Sequence, residues 1–267
     1  MPNKISKKDI KFYIKIVLEE SLFEKRQLDI FQNILLDKLT VWSESIKILP
    51  TENSPCIGFL EEHNTLFEAI HEICPLSKYG LGNAILHGSY KGIYFYLYNS
   101  RDLFTPNNNL ISIEILKILE IEGQDIREWI VDFFTEIITL LPVRYGRACL
   151  DSEFRSKNYI EPSFKGVNLY ESLPGLYWLN YLGIPYIKMI GEEKIIHSGA
   201  YSINQYNGGV LLGLDENPFN WNTEEYQDCE QQVLEKIGCQ YFFMKNKPDQ
   251  VTVTPDFATE YQDRVKL

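Results

Sequence analysis

The sequence predicts a mixed α+β fold, a mainly antiparallel sheet with helices packed on it. It reads as one domain, or as two related βαβ-type halves sharing a sheet. Three observations carry this. Ile10, Phe12, Ile14, Ile16 and Leu18 recur at every second position, the period of a strand. From Gln27 to Lys47 the spacing changes to three and four, the period of a helix. Asn207-Gly208-Gly209 then separates two apolar stretches, the strongest hairpin signal in the chain.

The elements follow in order. In the first strand, Lys11 and Lys15 alternate with the apolar residues and mark the wetter face. The helix that follows carries Ile30, Phe31, Ile34, Leu35, Leu39, Trp42 and Ile46 on one face and ends near Pro50. A shorter helix runs from Thr65 to Ile73, before Pro75. Ile85–Tyr90 and Ile93–Tyr98 flank Lys91-Gly92 as a hairpin. Leu110–Ile121 begins with strand alternation, although Ile113–Leu119 also suits a helix. Asp125–Leu141 is a helix with Ile126, Ile130, Phe133, Phe134, Ile137 and Leu141 inward, stopped by Pro142. Val143–Leu150 returns as a strand, which makes a βαβ-sized unit. The stretch from Ser172 to Gly191, broken by Pro174, Gly175, Gly183 and Pro185, reads as short helices joined by turns. A helix from Thr223 to Ile237 turns Tyr226, Cys229, Val233 and Ile237 inward, and Tyr241–Met244 is a last strand. There is no fixed-period repeat and no Gly/Ser-rich linker, so residues 1–267 read as a single α+β domain with peripheral tails at 1–8 and 246–267.

Composition narrows the function. The chain has 267 residues, of which 45% are hydrophobic and 24% charged, which excludes wholesale disorder and a small disulfide scaffold. Lys plus Arg is 26 and Asp plus Glu is 37, a formal charge of −11. That balance argues against generic nucleic-acid binding and against docking on anionic lipid, both of which need a basic surface. The five cysteines form no CxxC pair, and no leader or membrane-length apolar run is evident, so the expected compartment is the cytoplasm, with reduced thiols.

The motifs that carry chemistry are weak. Glu68-x-x-His71, with Cys74 three residues on, gives ligand spacing on one helix face, but the remaining ligands of a metal site are not evident. His87-Gly88-Ser89-Tyr90 places a His and a Ser on a strand without a nucleophile-elbow motif. Gly80-Leu81-Gly82 lacks the third glycine of a dinucleotide fingerprint. No catalytic residue, resident metal or cofactor is assigned, and the chain is not expected to be an enzyme.

Charge distribution says more. Residues 1–18 hold five lysines against Asp9, whereas Asp215–Glu235 holds seven acids and no Lys or Arg. On the helix from Thr223, Glu224, Asp228, Gln231 and Glu235 step by three or four and share one face. Asp215, Glu216, Glu224, Glu225, Asp228 and Glu235 are therefore candidates for a surface that attracts a basic partner. A solvated helix face is the more ordinary reading of such a run, and Glu224 and Glu225 suit the helix dipole in any protein. Tyr177 and Trp178, in an aromatic-rich stretch, are a second candidate contact surface, although core packing is the usual fate of such rings.

The phrases LLPVRYGRACLDSEF, LPGLYWLNYLGIPYIKMIGEEKI and YNGGVLLGLDENP, after the opening strand and helix, resemble immunity proteins of type VI secretion and polymorphic-toxin systems. The resemblance spans residues 9–245, and Leu173–Ile195 is its most specific stretch. Partners of such proteins include toxins with the restriction-endonuclease fold. The resemblance implies a cytoplasmic, non-enzymatic inhibitor that neutralises a cognate secreted toxin, a basic nuclease, by stoichiometric contact. It implies no direct contact with nucleic acid or membrane. Two other readings stay open: a metal-dependent enzyme using Glu68, His71 and Cys74, and an adaptor that binds a secreted effector without inhibiting it.

Overall fold

The computed structural model describes residues 10–20, 24–39, 47–49, 58–59, 65–68, 84–90, 93–99, 109–116, 120–121 and 123–257. The fold is mixed α+β, with antiparallel strand pairing and helices on the sheets. It divides into two compact units, residues 1–103 with 108–143 and residues 104–107 with 144–267.

The first unit contains β1 (Lys11–Leu18), α1 (Lys25–Leu39), β2 (Lys47–Leu49), β3 (Gly58–Phe59), β4 (Ala84–Tyr90), β5 (Ile93–Asn99) and β6 (Asn109–Leu116). A small hairpin of β7 (Glu120–Ile121) and β8 (Gln124–Asp125) leads into α2 (Ile126–Leu140). The strands lie in the order β1-β6-β5-β4-β2-β3. Alternation decides which face is dry: Phe12, Ile14 and Ile16 of β1 are buried beside Ile111, Ile113 and Ile115 of β6 and Ile93, Phe95 and Leu97 of β5. The other face is half-buried, and there Lys11 reaches Glu114 at 2.9 Å and lies over the Tyr13 ring.

Asp125 caps α2 by accepting the Arg127 N–H at 2.8 Å, worth about 1 kcal/mol. The buried stripe of α2 runs through Ile126, Trp129, Ile130, Phe133, Phe134, Ile137 and Ile138, with Trp129 and Phe133 stacked at 4.9 Å. α2 packs with α1 in this unit, and Trp129 Nε1 donates to the Lys38 carbonyl at 3.2 Å. The predicted long helix ends as α1 at Leu39, and Lys47–Leu49 is a strand paired with β4. The reason is non-local, because these three residues pair with His87, Leu86 and Ile85 of β4. Of the predicted helix at Thr65–Ile73, Leu66–Glu68 are helical, with the Thr65 hydroxyl accepting the Glu68 N–H, while residues 69–73 lie outside the described residues.

The second unit contains β9 (Val143–Leu150), α3 (Asp151–Asn158), the hairpin of β10 (Tyr159–Ile160) and β11 (Ser163–Phe164), β12 (Leu179–Leu182), α4 (Ile184–Ile190), α5 (Glu192–Ile196), β13 (Ser202–Tyr206), β14 (Gly209–Gly213) and α6 (Glu224–Ile237). The strand order is β9-β12-β14-β13, antiparallel throughout. The predicted strand–helix–strand unit around α2 thus straddles the division, since the chain passes to the second unit within β9.

Leu179–Leu182, expected as part of a run of short helices, is a strand in the interior of this sheet. All four residues are buried, so no polar alternation reveals it in the sequence. The predicted strand at Tyr241–Met244 reduces to a single parallel bridge, Leu173 to Phe242, behind a 3-10 turn at Cys239–Tyr241. Part of the expected C-terminal tail packs on this unit: Phe257 is buried against Tyr170 and Tyr186, and the Thr254 hydroxyl donates to the Tyr170 carbonyl at 2.9 Å.

The β13–β14 hairpin forms as the dipeptide predicts. Asn207 at φ 46° and Gly208 at φ 76° give the twist of a tight two-residue turn. Gly209 is held to glycine by space, because a Cβ there would lie 2.4 Å from the Tyr181 hydroxyl and 2.6 Å from the Leu182 carbonyl. Gly209→Ala is expected to lower unfolding stability by about 1–3 kcal/mol in urea titration, with the unchanged m-value of an intact fold.

Candidate protein-docking surface

α6 presents the acidic face. Thr223 opens the helix, its hydroxyl accepting the Tyr226 N–H at 3.3 Å, and Gly238 closes it at φ 120°. Tyr226, Val233, Leu234 and Ile237 turn inward. Glu224, Glu225, Asp228, Gln231 and Glu235 remain exposed, so this part of the predicted face lies in solvent. Gln231 Nε2 donates to Glu235 Oε1 at 2.8 Å, which braces the far end of the row. Cys229, expected inward, is half-buried, with its thiol toward the Gly199 carbonyl.

The other predicted residues divide. Glu216 is exposed, but Asp215 is half-buried and structural. Its Oδ1 accepts from the Asn217 N–H at 2.7 Å and from Asn220 Nδ2 at 3.1 Å, which folds the turn after β14. Tyr177 and Trp178, at 0% and 1% exposure, belong to the core and offer no ring face to a partner. Each has a polar tip that needs an internal partner, which explains their placement. Trp178 Nε1 donates to the Asp215 carbonyl at 3.0 Å. The Tyr177 N–H donates to Asn180 Oδ1 at 2.9 Å, and its hydroxyl donates to Asn158.

Behind α6 lies a charged core of the second unit that the sequence reading did not find. Lys157 Nζ sits 2.9 Å from Glu153 Oε1 and 2.9 Å from Glu230 Oε2. Glu153 is fully buried and also accepts the Tyr226 hydroxyl at 2.6 Å, tying α6 to α3. Nearby, the buried Arg147 donates to the Tyr177 hydroxyl at 3.1 Å, and its guanidinium lies 4.1 Å from the Phe154 ring centre. Two cations and two carboxylates thus lie near one another, Arg147 and Glu153 buried and Lys157 and Glu230 half-buried. Burial alone would push the Lys157 ammonium down, but Glu153 and Glu230 hold it above its ordinary value of 10.5. Burial raises the Glu230 carboxyl, with Lys157 opposing, and pushes the Cys149 thiol up to about 12. The one sequence clue was the i, i+4 spacing of Glu153 and Lys157, which is too common to single out.

Lys157 and Glu230 also line a cavity of about 270 Å³ with Pro174, Gly175 and Lys245. Of the predicted metal set, Glu68 is exposed on its helical turn, whereas His71 and Cys74 lie outside the described residues, as does Gly80-Leu81-Gly82. Among the described residues, no three His, Cys, Asp or Glu side chains come together as a metal site, and no helix is long and apolar enough to cross a membrane. His87 and Ser89 fall on β4, opposite Tyr96 and Tyr94 of β5.

The architecture is thus a mixed α+β protein whose second unit carries an acidic helix on a buried ionic core. No family model matches the chain, and no curated protein matches it. Among solved structures it is similar to the Pseudomonas aeruginosa T6SS protein PA0821, with a TM-score of 0.54 at 10% identity, over 96% of this chain and 81% of that one. At that identity the likeness is one of fold.

The ionic core makes a signed prediction. A cation held above its ordinary value contributes stability that is complete below pH 10.5 and is lost as pH rises through the folded value. The raised phenols of Tyr177 and Tyr226, favoured neutral by burial, act in the same direction above pH 10.0. Denaturant titrations should therefore show stability falling on the alkaline side. Lys157→Met should cost about 3–5 kcal/mol near neutrality, because it strands two carboxylates, and should make the alkaline fall shallower.

Proposed function

We propose that this protein has a type VI secretion-associated role as an immunity protein. It binds a cognate secreted antibacterial toxin, a nuclease acting in the cytoplasm, and neutralises it in a stoichiometric complex without catalysis. The observation that carries the reading is the exposed row Glu224, Glu225, Asp228 and Glu235 on a helix fixed from behind by Glu153, Lys157 and Glu230. A nuclease must be basic where it grips phosphate. A rigid row of carboxylates competes with the nucleic acid for that surface and speeds encounter. The fold shared with a T6SS protein supports the setting, and the phrases from residue 9 to residue 245 support the immunity role.

The test is co-expression with the product of the gene immediately upstream, scoring host survival and co-purification. The expected result is rescue with a one-to-one complex. Co-purification without rescue would support the non-inhibitory adaptor instead, and neither binding nor rescue would overturn the proposal. Replacing Glu224, Asp228 and Glu235 together by Lys should slow association about tenfold or more at low salt, with a smaller deficit at high salt. Circular dichroism should remain that of the parent, because all three side chains are exposed.

A further inference from the structure

The second unit has another feature suited to a protein partner, the open edge of its sheet. β13 is the last strand in its order, paired on one side with β14. The register Tyr206↔Gly209, Gln205↔Val210, Asn204↔Leu211, Ile203↔Leu212 closes on a two-residue turn. In such a hairpin the pair flanking the turn exchanges both backbone hydrogen bonds, and alternate pairs do so thereafter. Tyr206, Asn204 and Ser202 therefore point their backbone groups at β14. Ile203 and Gln205 point theirs away from the sheet and have no backbone partner among the described residues. The strand is short, but it carries neither the Lys nor the Pro that commonly blunts an edge.

What flanks this edge is specific. Gln205 Nε2 donates to Glu192 Oε1 at 2.6 Å, which sets the N-terminal turn of α5 and its exposed neighbour Glu193 beside the strand. Tyr201, 61% exposed, stands at the start of β13, and Ile184, 41% exposed, lies against Gly208 at the turn. Between residues 192 and 235 seven carboxylates are exposed against the single Lys194, with Asp215 and Glu230 half-buried, and Glu193 lies 3.3 Å from the His197 imidazole. Edge amides, two apolar anchors and an acidic border are the parts of a strand-addition site.

We infer that β13 receives an extended, Lys- or Arg-bearing segment of a partner protein as an added strand, with Ile203 and Gln205 pairing its backbone and Glu192 and Glu193 meeting its cations. This rests on the reading that the ligand is a basic protein, and it names a second contact besides the face of α6. The same edge would also suit a second copy of this chain, but the acidic border repels its like, which favours a basic strand.

The probe is a short acetylated peptide of alternating Lys and Thr, added to the full chain. It should protect the Ile203 and Gln205 amides from hydrogen exchange. Gln205→Pro removes one outward N–H, a substitution that an edge strand tolerates, and should weaken binding about tenfold. If that variant fails to fold, the same peptide N-methylated on alternate amides decides with the parent protein, because one methylation register should lose binding. The inference is overturned if the peptide fails to bind, or if neither Gln205→Pro nor N-methylation alters its binding. Peptide binding lost only on reversal of Glu224, Asp228 and Glu235, without protection at the edge, overturns it also. So does a dimer that protects the same amides without peptide. If the upstream gene product still co-purifies with folded Gln205→Pro at parental affinity, the edge contact fails while the immunity reading stands.

Discussion

The second unit depends on how one ammonium is housed. Lys157 lies between Glu153 and Glu230, which come from two helices, and neither carboxylate can keep its charge cheaply in that place without it. The Tyr226 hydroxyl on Glu153 adds a neutral link across the same gap. This clamp fixes the rotation of α6 about its axis, because Tyr226 and Glu230 must face α3. The opposite side of the helix then necessarily holds Glu224, Asp228, Gln231 and Glu235. An outward acidic row is the geometric complement of an inward ionic pair.

Arg147 solves a related problem by different means. Among the described residues it forms no ion pair with a carboxylate, and it lies among the faces of Phe154 and Tyr177 with the Tyr177 hydroxyl as acceptor. Tyr177 in turn reaches Asn158 and, through Asn180, the interior of the sheet. Burying both rings at Tyr177–Trp178 therefore serves β9 and α3 through Tyr177 and the turn at Asp215 through Trp178.

Local chemistry made much of the fold legible. The period of Ile10–Leu18, the Asn207-Gly208 turn, the helix beginning at Thr223 and the stripe of α2 each depend on a few neighbouring residues, and each stands in the structure. The misses come from non-local facts. Leu179–Leu182 is dry on both faces, so it has no alternation to read, and Lys47–Leu49 becomes a strand by pairing with a segment some forty residues away. The acidic row was legible because it needs only helix geometry. The ionic core was not, because Arg147, Lys157 and Glu230 lie on three elements and Tyr177 on a loop, and they meet only after folding. Aromatic richness at 177–178 pointed to a surface, but a large ring with a polar tip fits a hydrogen-bonded interior equally well.

Phe257 carries a consequence for the order of events during synthesis. Its ring closes over Tyr170 and Tyr186 and receives the Arg144 guanidinium at 4.7 Å. The pocket it fills is lined by residues 144, 170 and 186, all of which precede it by many residues in the chain. A nascent chain leaves that aromatic site open until residue 257 has cleared the ribosome. The second unit thus waits on residue 257 for the last wall of this pocket, whatever the order in which its strands and helices form.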